Sequence, residues 1–142
     1  MREIKFRAWH KEQGKMYSAG ELGFDQMTIM PDGRGFANIS GDFTHLSQVD
    51  NGNKMLPLQY TGLKDKNGYE IYDGDIFRYD LLISHLKMIK TVQWEDRDAC
   101  WFLWDGDAEK EQSRLGMGLA NRGEVIGNIY ENPKGLAPEV KE

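Results

Sequence analysis

Two acidic triplets, Asp73-Gly74-Asp75 and Asp105-Gly106-Asp107, contain the residues best placed to do chemistry in this chain. Carboxylates two positions apart can share a proton, and a shared proton is the starting point for general acid–base work. That work also needs a pocket and a base set against the pair. Neither is evident around either triplet, so both read as solvated corners.

Other chemistries fail on spacing. Asp65, Asn67 and Gly68 begin like a calcium loop, but Tyr69 stands where a ligand is required and Glu70 where the loop needs glycine. Gly33 and Gly35 in "DGRGFAN" begin like a dinucleotide loop, yet Asn38 closes the motif wrongly and no strand-to-helix pattern surrounds it; Gly116 and Gly118 fail in the same way. His10, His45 and His85 are widely separated, without a second metal-binding residue at turn or helical spacing. No serine has a nucleophile-elbow motif. Cys100, the single cysteine, lies in the apolar run "ACWFLW", where it reads as a small buried hydrophobe. The expectation is a noncatalytic protein with no metal and no cofactor.

What remains is aromatic and aliphatic surface. The acidic deficit lies wholly after residue 58: residues 1–58 carry seven basic and seven acidic side chains, and the remainder eleven against sixteen. Nucleic-acid affinity rests on neutralised phosphates, so such a charge balance favours a protein partner over base stacking. One short basic run, His85, Lys87 and Lys90, keeps a nucleic-acid-binding regulator as the alternative. Trp104, Phe102 and Tyr130 are the candidate partner-binding residues. The partner is an unidentified protein or a second copy of the chain.

The elements that position these residues read as strands. "REIKFRAWH" alternates Ile4, Phe6 and Ala8 with Lys5, Arg7 and Trp9, and Gly14 turns it toward Met16 and Tyr17 in a hairpin. From Ser18 to Lys54 the pattern predicts short strands and loops, with one helical turn available at 43–49. "KMLPLQYTGL" is extended around Pro57. Asn67-Gly68 predicts a type I′ hairpin turn, and Asp73-Gly74 a corner. "GDIFRYDLLI" then predicts a strand with Phe77, Tyr79, Leu81 and Ile83 on one face.

"LLISHLKMIKTVQW" fits helix and strand in different parts; two strands joined near Ser84 to Lys87 are the preferred reading. "DACWFLWDGD" puts Ala99, Trp101 and Leu103 on one face and Cys100, Phe102 and Trp104 on the other. Both faces are apolar, so one is expected to be covered by the N-terminal unit or by a second copy. "DAEKEQSRLG" predicts a short helix ended by Gly116. "EVIGNIYEN" predicts the last strand, with Gly127 making room for a bulky neighbour.

Three blocks, "REIKFRAW", "QYTGLKDKNGYEIYDGDIF" and "EVIGNIYEN", together resemble the YopX-like proteins of phages and prophages over essentially the whole chain. The resemblance is carried by Phe6, Arg7, Ala8 and Trp9; by Tyr60, Thr61, Gly62, Leu63, Asp65, Asn67, Gly68, Ile71, Gly74 and Asp75; and by Val125, Ile126, Gly127, Asn128 and Ile129. It implies a phage-derived, mostly β protein and supplies no catalytic or ligand residue. "LLISHLKMIK" departs from the family's more polar connection, which bears on packing or on the partner.

The expected architecture is therefore mainly β. An N-terminal hairpin unit, residues 1–58, packs on a small, partly open SH3-like β-barrel, residues 59–142, with at most one or two short helices. No apolar run approaches the ~18 residues a membrane helix needs. The charged start "MREIKFRAWHKEQ" lacks a signal peptide's apolar stretch. The expected setting is the cytoplasm of a bacterial host.

Overall fold

The alternation around Ala8 does make a strand. In the computed structural model, which describes residues 3–38, the backbone of 49–50, and residues 54–105 and 113–133, β1 spans Phe6–His10 and Ala8 is fully buried. β1 pairs antiparallel with β2, Lys15–Tyr17, after a turn in which Gly14 takes φ +61°. Backbone contacts divide the chain into two units, Glu3–Gln59 and Tyr60–Glu142.

The first unit has a helix that the apolar pattern does not announce. α1, Ala19–Phe24, buries only Leu22, so no helical stripe exists to be read. Its start is nonetheless written in Ser18-Ala-Gly-Glu21. The Glu21 amide donates to Ser18 Oγ at 3.1 Å, and the Ser18 amide donates to Glu21 Oε1 at 2.9 Å, forming a capping box. The same Ser18 amide holds the Glu21 carboxyl below its ordinary pKa. Strands β3, Met27–Ile29, β4, Phe36–Asn38, and β5, Val49–Asp50, form a three-stranded sheet. Ala8, Leu22 and Phe36 are the unit's core, joined by Phe6, Tyr17, Met27, Ile29 and Met55. The helical turn expected at 43–49 falls, except for Val49, outside the described residues; Val49 belongs to β5.

β6, Met55–Lys64, pairs with β1 from Met55 to Gln59, and with β7, Glu70–Tyr72, from Tyr60 to Lys64. The second unit continues with β8, Asp75–Asp80, β9, Lys87–Glu95, β10, Cys100–Trp104, and β11, Ser113–Arg114. α2, Met117–Ala120, and β12, Glu124–Asn128, complete it. Five strands in the order β11-β10-β9-β8-β12 curl into a half-barrel. The fold is mainly β, with two short helices among the described residues, as the strand patterns require.

One face of this sheet is the core. Phe77, Val92 and Leu103 are fully buried with Ile71, Tyr79, Leu115 and Ala120, and Trp101 packs at the edge of this cluster. Complete burial of Phe77 or Leu103 is worth about 1.5–3 kcal/mol each. The pairs Leu103 with Val92 and Trp101 with Trp94 confirm the two-faced reading of β10, placing Phe102 and Trp104 on the reverse face.

Several local expectations are corrected. Asn67 does not have positive φ, so the turn is not type I′: the Gly68 amide bonds the Asp65 carbonyl at 3.0 Å, and Gly68 alone takes φ +86°. A type I turn closed by a left-handed glycine solves the same hairpin. β8 stops at Asp80, so Leu81 and Ile83 do not continue the face of Phe77 and Tyr79; they lie in the turn before β9. Ala99, at φ +51°, precedes β10, and Cys100 is partly exposed. Gly116 precedes α2 as its N-cap and does not end a helix; of the helix expected over 107–116, residues 107–112 lie outside the described residues and Ser113–Arg114 form β11 instead. A side chain at Gly127 would meet nothing, since the residue lies at a bulge in the β12–β8 ladder. The crowded glycines are Gly74, where an added Cβ would lie 2.5 Å from the Tyr130 ring, and Gly123, where it would strike Phe77.

Candidate interaction surface

The acidic and amide groups of the central and closing blocks form a set of backbone staples. Asp65, 4 % exposed, accepts the amides of Asn67 and Tyr69 on Oδ1, each at 2.9 Å. Its Oδ2 accepts the Val125 amide at 2.8 Å, sixty residues away. The Lys66 amide donates to the Gly123 carbonyl at 3.0 Å, and Asn67 Nδ2 to Glu124 Oε1 at 3.5 Å. The turn of the central block is thus tied directly to the start of the closing strand. Arg78 pairs with Glu124 beside it, and that guanidinium holds the Glu124 carboxyl below its ordinary pKa.

The other staples work the same way. Asp75, 1 % exposed, accepts the Tyr72 amide at 2.8 Å, closing the Asp73-Gly74 corner. Asn128 Oδ1 accepts the amides of Tyr130 and Glu131 at 3.0 and 2.8 Å. Carboxylates occupied by backbone donors do not converge on a cation, and among the described residues no group of three or more His, Cys, Asp or Glu side chains could hold a metal. No described helix is long and apolar enough to cross a membrane.

The run of aliphatic residues between β8 and β9 is different. Leu82 is 72 %, Ile83 97 % and Leu86 60 % exposed, at the tip of a hairpin whose strands pair from Asp80 with Lys87 inward. The tip is closed by backbone bonds, Leu81 amide to Leu86 carbonyl and His85 amide to Leu81 carbonyl, each 2.9 Å, with His85 at φ +56°. Its shape therefore comes from the main chain, which leaves the apolar side chains facing water. Isolated exposed leucines are ordinary; adjacent aliphatics on one protruding tip are not.

The basic run does not form an exposed stripe. Lys87 pairs with Asp80 at 3.5 Å, and Lys90 is 5 % exposed. Of the candidate partner residues, Phe102 and Trp104 share the reverse face of β10, opposite Gln93 and Thr91, and both are partly buried. Tyr130 is also partly buried, with its ring against Gly74. Leu82, Ile83 and Leu86 were not among the candidates; the signal was four aliphatics in the six residues from Leu81 to Leu86, with no glycine, proline or asparagine to mark a turn.

A family model described as "YopX protein" matches residues 5–137. The chain belongs to the YopX family. Among solved structures, this YopX-family protein is similar to protein EF1440 from Enterococcus faecalis, at 26 % identity and a TM-score of 0.61, over 96 % of this chain and 99 % of that one. No curated protein matches it. In this YopX-family chain, the matched region contains every staple described above.

Proposed function

We propose that this chain is a noncatalytic interaction module of phage or prophage origin, acting in the cytoplasm of a bacterial host through a protein partner or a second copy of itself. The observation that carries the reading is the apolar tip, Leu82, Ile83 and Leu86, held out on a hydrogen-bonded hairpin. Burying such side chains at an interface recovers the free energy that their exposure forfeits, about 25 cal/mol per Å². Trp104, Phe102 and Tyr130 are the aromatic side of the same proposal. The phage origin rests on the family, and the absence of catalysis on the use of Asp65, Asp75 and Asn128 as staples. The nucleic-acid reading has less support, because Lys87 is paired and Lys90 is buried.

A variant with Leu82, Ile83 and Leu86 all changed to serine tests this. Each site is exposed, so each should alter stability by no more than about 0.5 kcal/mol. The unchanged chain should retain a partner from host extract, or form dimers in sedimentation, and the variant should do neither. A variant that binds as well as the unchanged chain would contradict the proposal.

A further inference from the structure

The first unit contains a cleft of about 280 Å³ where β1, β2, β4 and α1 end and where β3 and β6 begin. This is below the usual range for drug-sized ligands and is suited to a single side chain. Its apolar lining is Leu22, Met27 and Met55, and Asn38 and Gln13 line it as well. One wall is the pair His10 and Tyr17, with ring centroids 6.2 Å apart.

The wall is fixed by two hydrogen bonds. Tyr17 donates its hydroxyl to Gln13 Oε1 at 2.6 Å, and the Gln13 amide donates to His10 Nδ1 at 3.1 Å. An accepting Nδ1 places the neutral ring's proton on Nε2. At the lip is the exposed carboxylate of Asp25, which no cation pairs among the described residues. Lys15 bonds Glu21 at 3.5 Å and lies 4.4 Å over the Tyr17 ring.

An apolar lining, an aromatic wall and an unpaired anion at the rim are complementary to a cation on an alkyl stem. We propose that this cleft receives one arginine side chain of a partner protein, with the stem on Met27 and Met55 and the guanidinium on Asp25. Arginine is preferred over lysine because its planar, weakly hydrated head can lie against rings and still engage a carboxylate through two donors. A phosphate or an acidic peptide would meet Asp25 with like charge. The inference rests on the protein-partner reading for its source of arginine, but uses a different unit of the chain from the apolar tip.

The test is a nuclear magnetic resonance titration of the full chain with N-acetyl-arginine methylamide, using the uncharged norleucine analogue for comparison. Saturable shifts at the Met27 and Met55 methyls and the His10 ring, in the millimolar range, are expected with the arginine compound only. Asp25→Asn should weaken them roughly fivefold, as for a partly exposed ion pair, and Asp25→Glu should restore them. Because Asp25 is exposed, its variants should keep the wild-type spectrum elsewhere. No saturable shift, equal shifts with norleucine, or an Asp25→Asn titration matching wild type would each overturn the proposal. None of these results would affect binding by the Leu82, Ile83 and Leu86 tip, so the two readings fail separately.

Discussion

Replacing Asp65 with alanine should cost this fold about 3–5 kcal/mol. Three backbone amides lose their acceptor at once: Asn67 and Tyr69 in the turn, and Val125 at the start of β12. The two turn amides can find water. Val125 is part-buried, and its bond is one of the links holding the closing strand to the central block, so that loss is the least compensated. A domain of ordinary stability has only ~5–15 kcal/mol to lose. Asp65→Asn separates the contributions. Its single carbonyl oxygen can still accept from Asn67 and Tyr69, but its amide nitrogen would oppose the Val125 donor, so the loss should be intermediate. Urea unfolding midpoints at constant slope measure all three proteins. An alanine variant within about 1 kcal/mol of wild type would show that Asp65 is not a staple.

Gly123→Ala is the second large effect, at roughly 3 kcal/mol or more. The added methyl would overlap the edge of the Phe77 ring and lie 2.7 Å from the Arg78 carbonyl. Phe77 is fully buried in the half-barrel core and cannot move aside without displacing Tyr79 or Val92. Gly127→Ala, four residues on, meets nothing and should be nearly neutral. Trimming Phe77 to leucine in the Gly123→Ala background should return part of the loss, and a double-mutant cycle of thermal melts reads that coupling. A tolerated Gly123→Ala would mean that Gly123 does not lie against the Phe77 ring as described.

These residues also show how far the sequence could be read. Gly68 and Gly74 were legible because only glycine takes φ near +86° without strain, and β10 was legible because a short, aromatic-rich apolar run suits a strand covered on both faces. The end of β8 was not. Leu81 and Ile83 keep the alternation of Phe77 and Tyr79 past Asp80, and apolar periodicity cannot tell where a hydrogen-bonded ladder stops. The role of Asp65 was hidden for a different reason: its third partner is sixty residues away, and local spacing suggested only a failed calcium loop. Gly123 carries no motif of its own; its constraint is the ring of Phe77, set by the β12–β8 register. Of the candidate surface, the apolar excess at 81–86 was visible, but its exposure depended on that early strand ending. The cleft near Asp25 joins the ends of several short elements, including a helix that the reading of short strands and loops missed, because it buries only Leu22 and announces itself solely by Ser18 and Glu21.

The central claim is that the aliphatic tip between β8 and β9 makes contact with another protein. A photoreactive amino acid placed at Ile83, in a bacterium that carries the gene, tests it most directly, with the same probe at Asp96, exposed in the turn that follows β9, as reference. Position 83 should give a discrete adduct, either twice the chain's mass or chain plus one partner, and position 96 should not. No discrete adduct at 83, or the same adducts from both positions, would contradict the account.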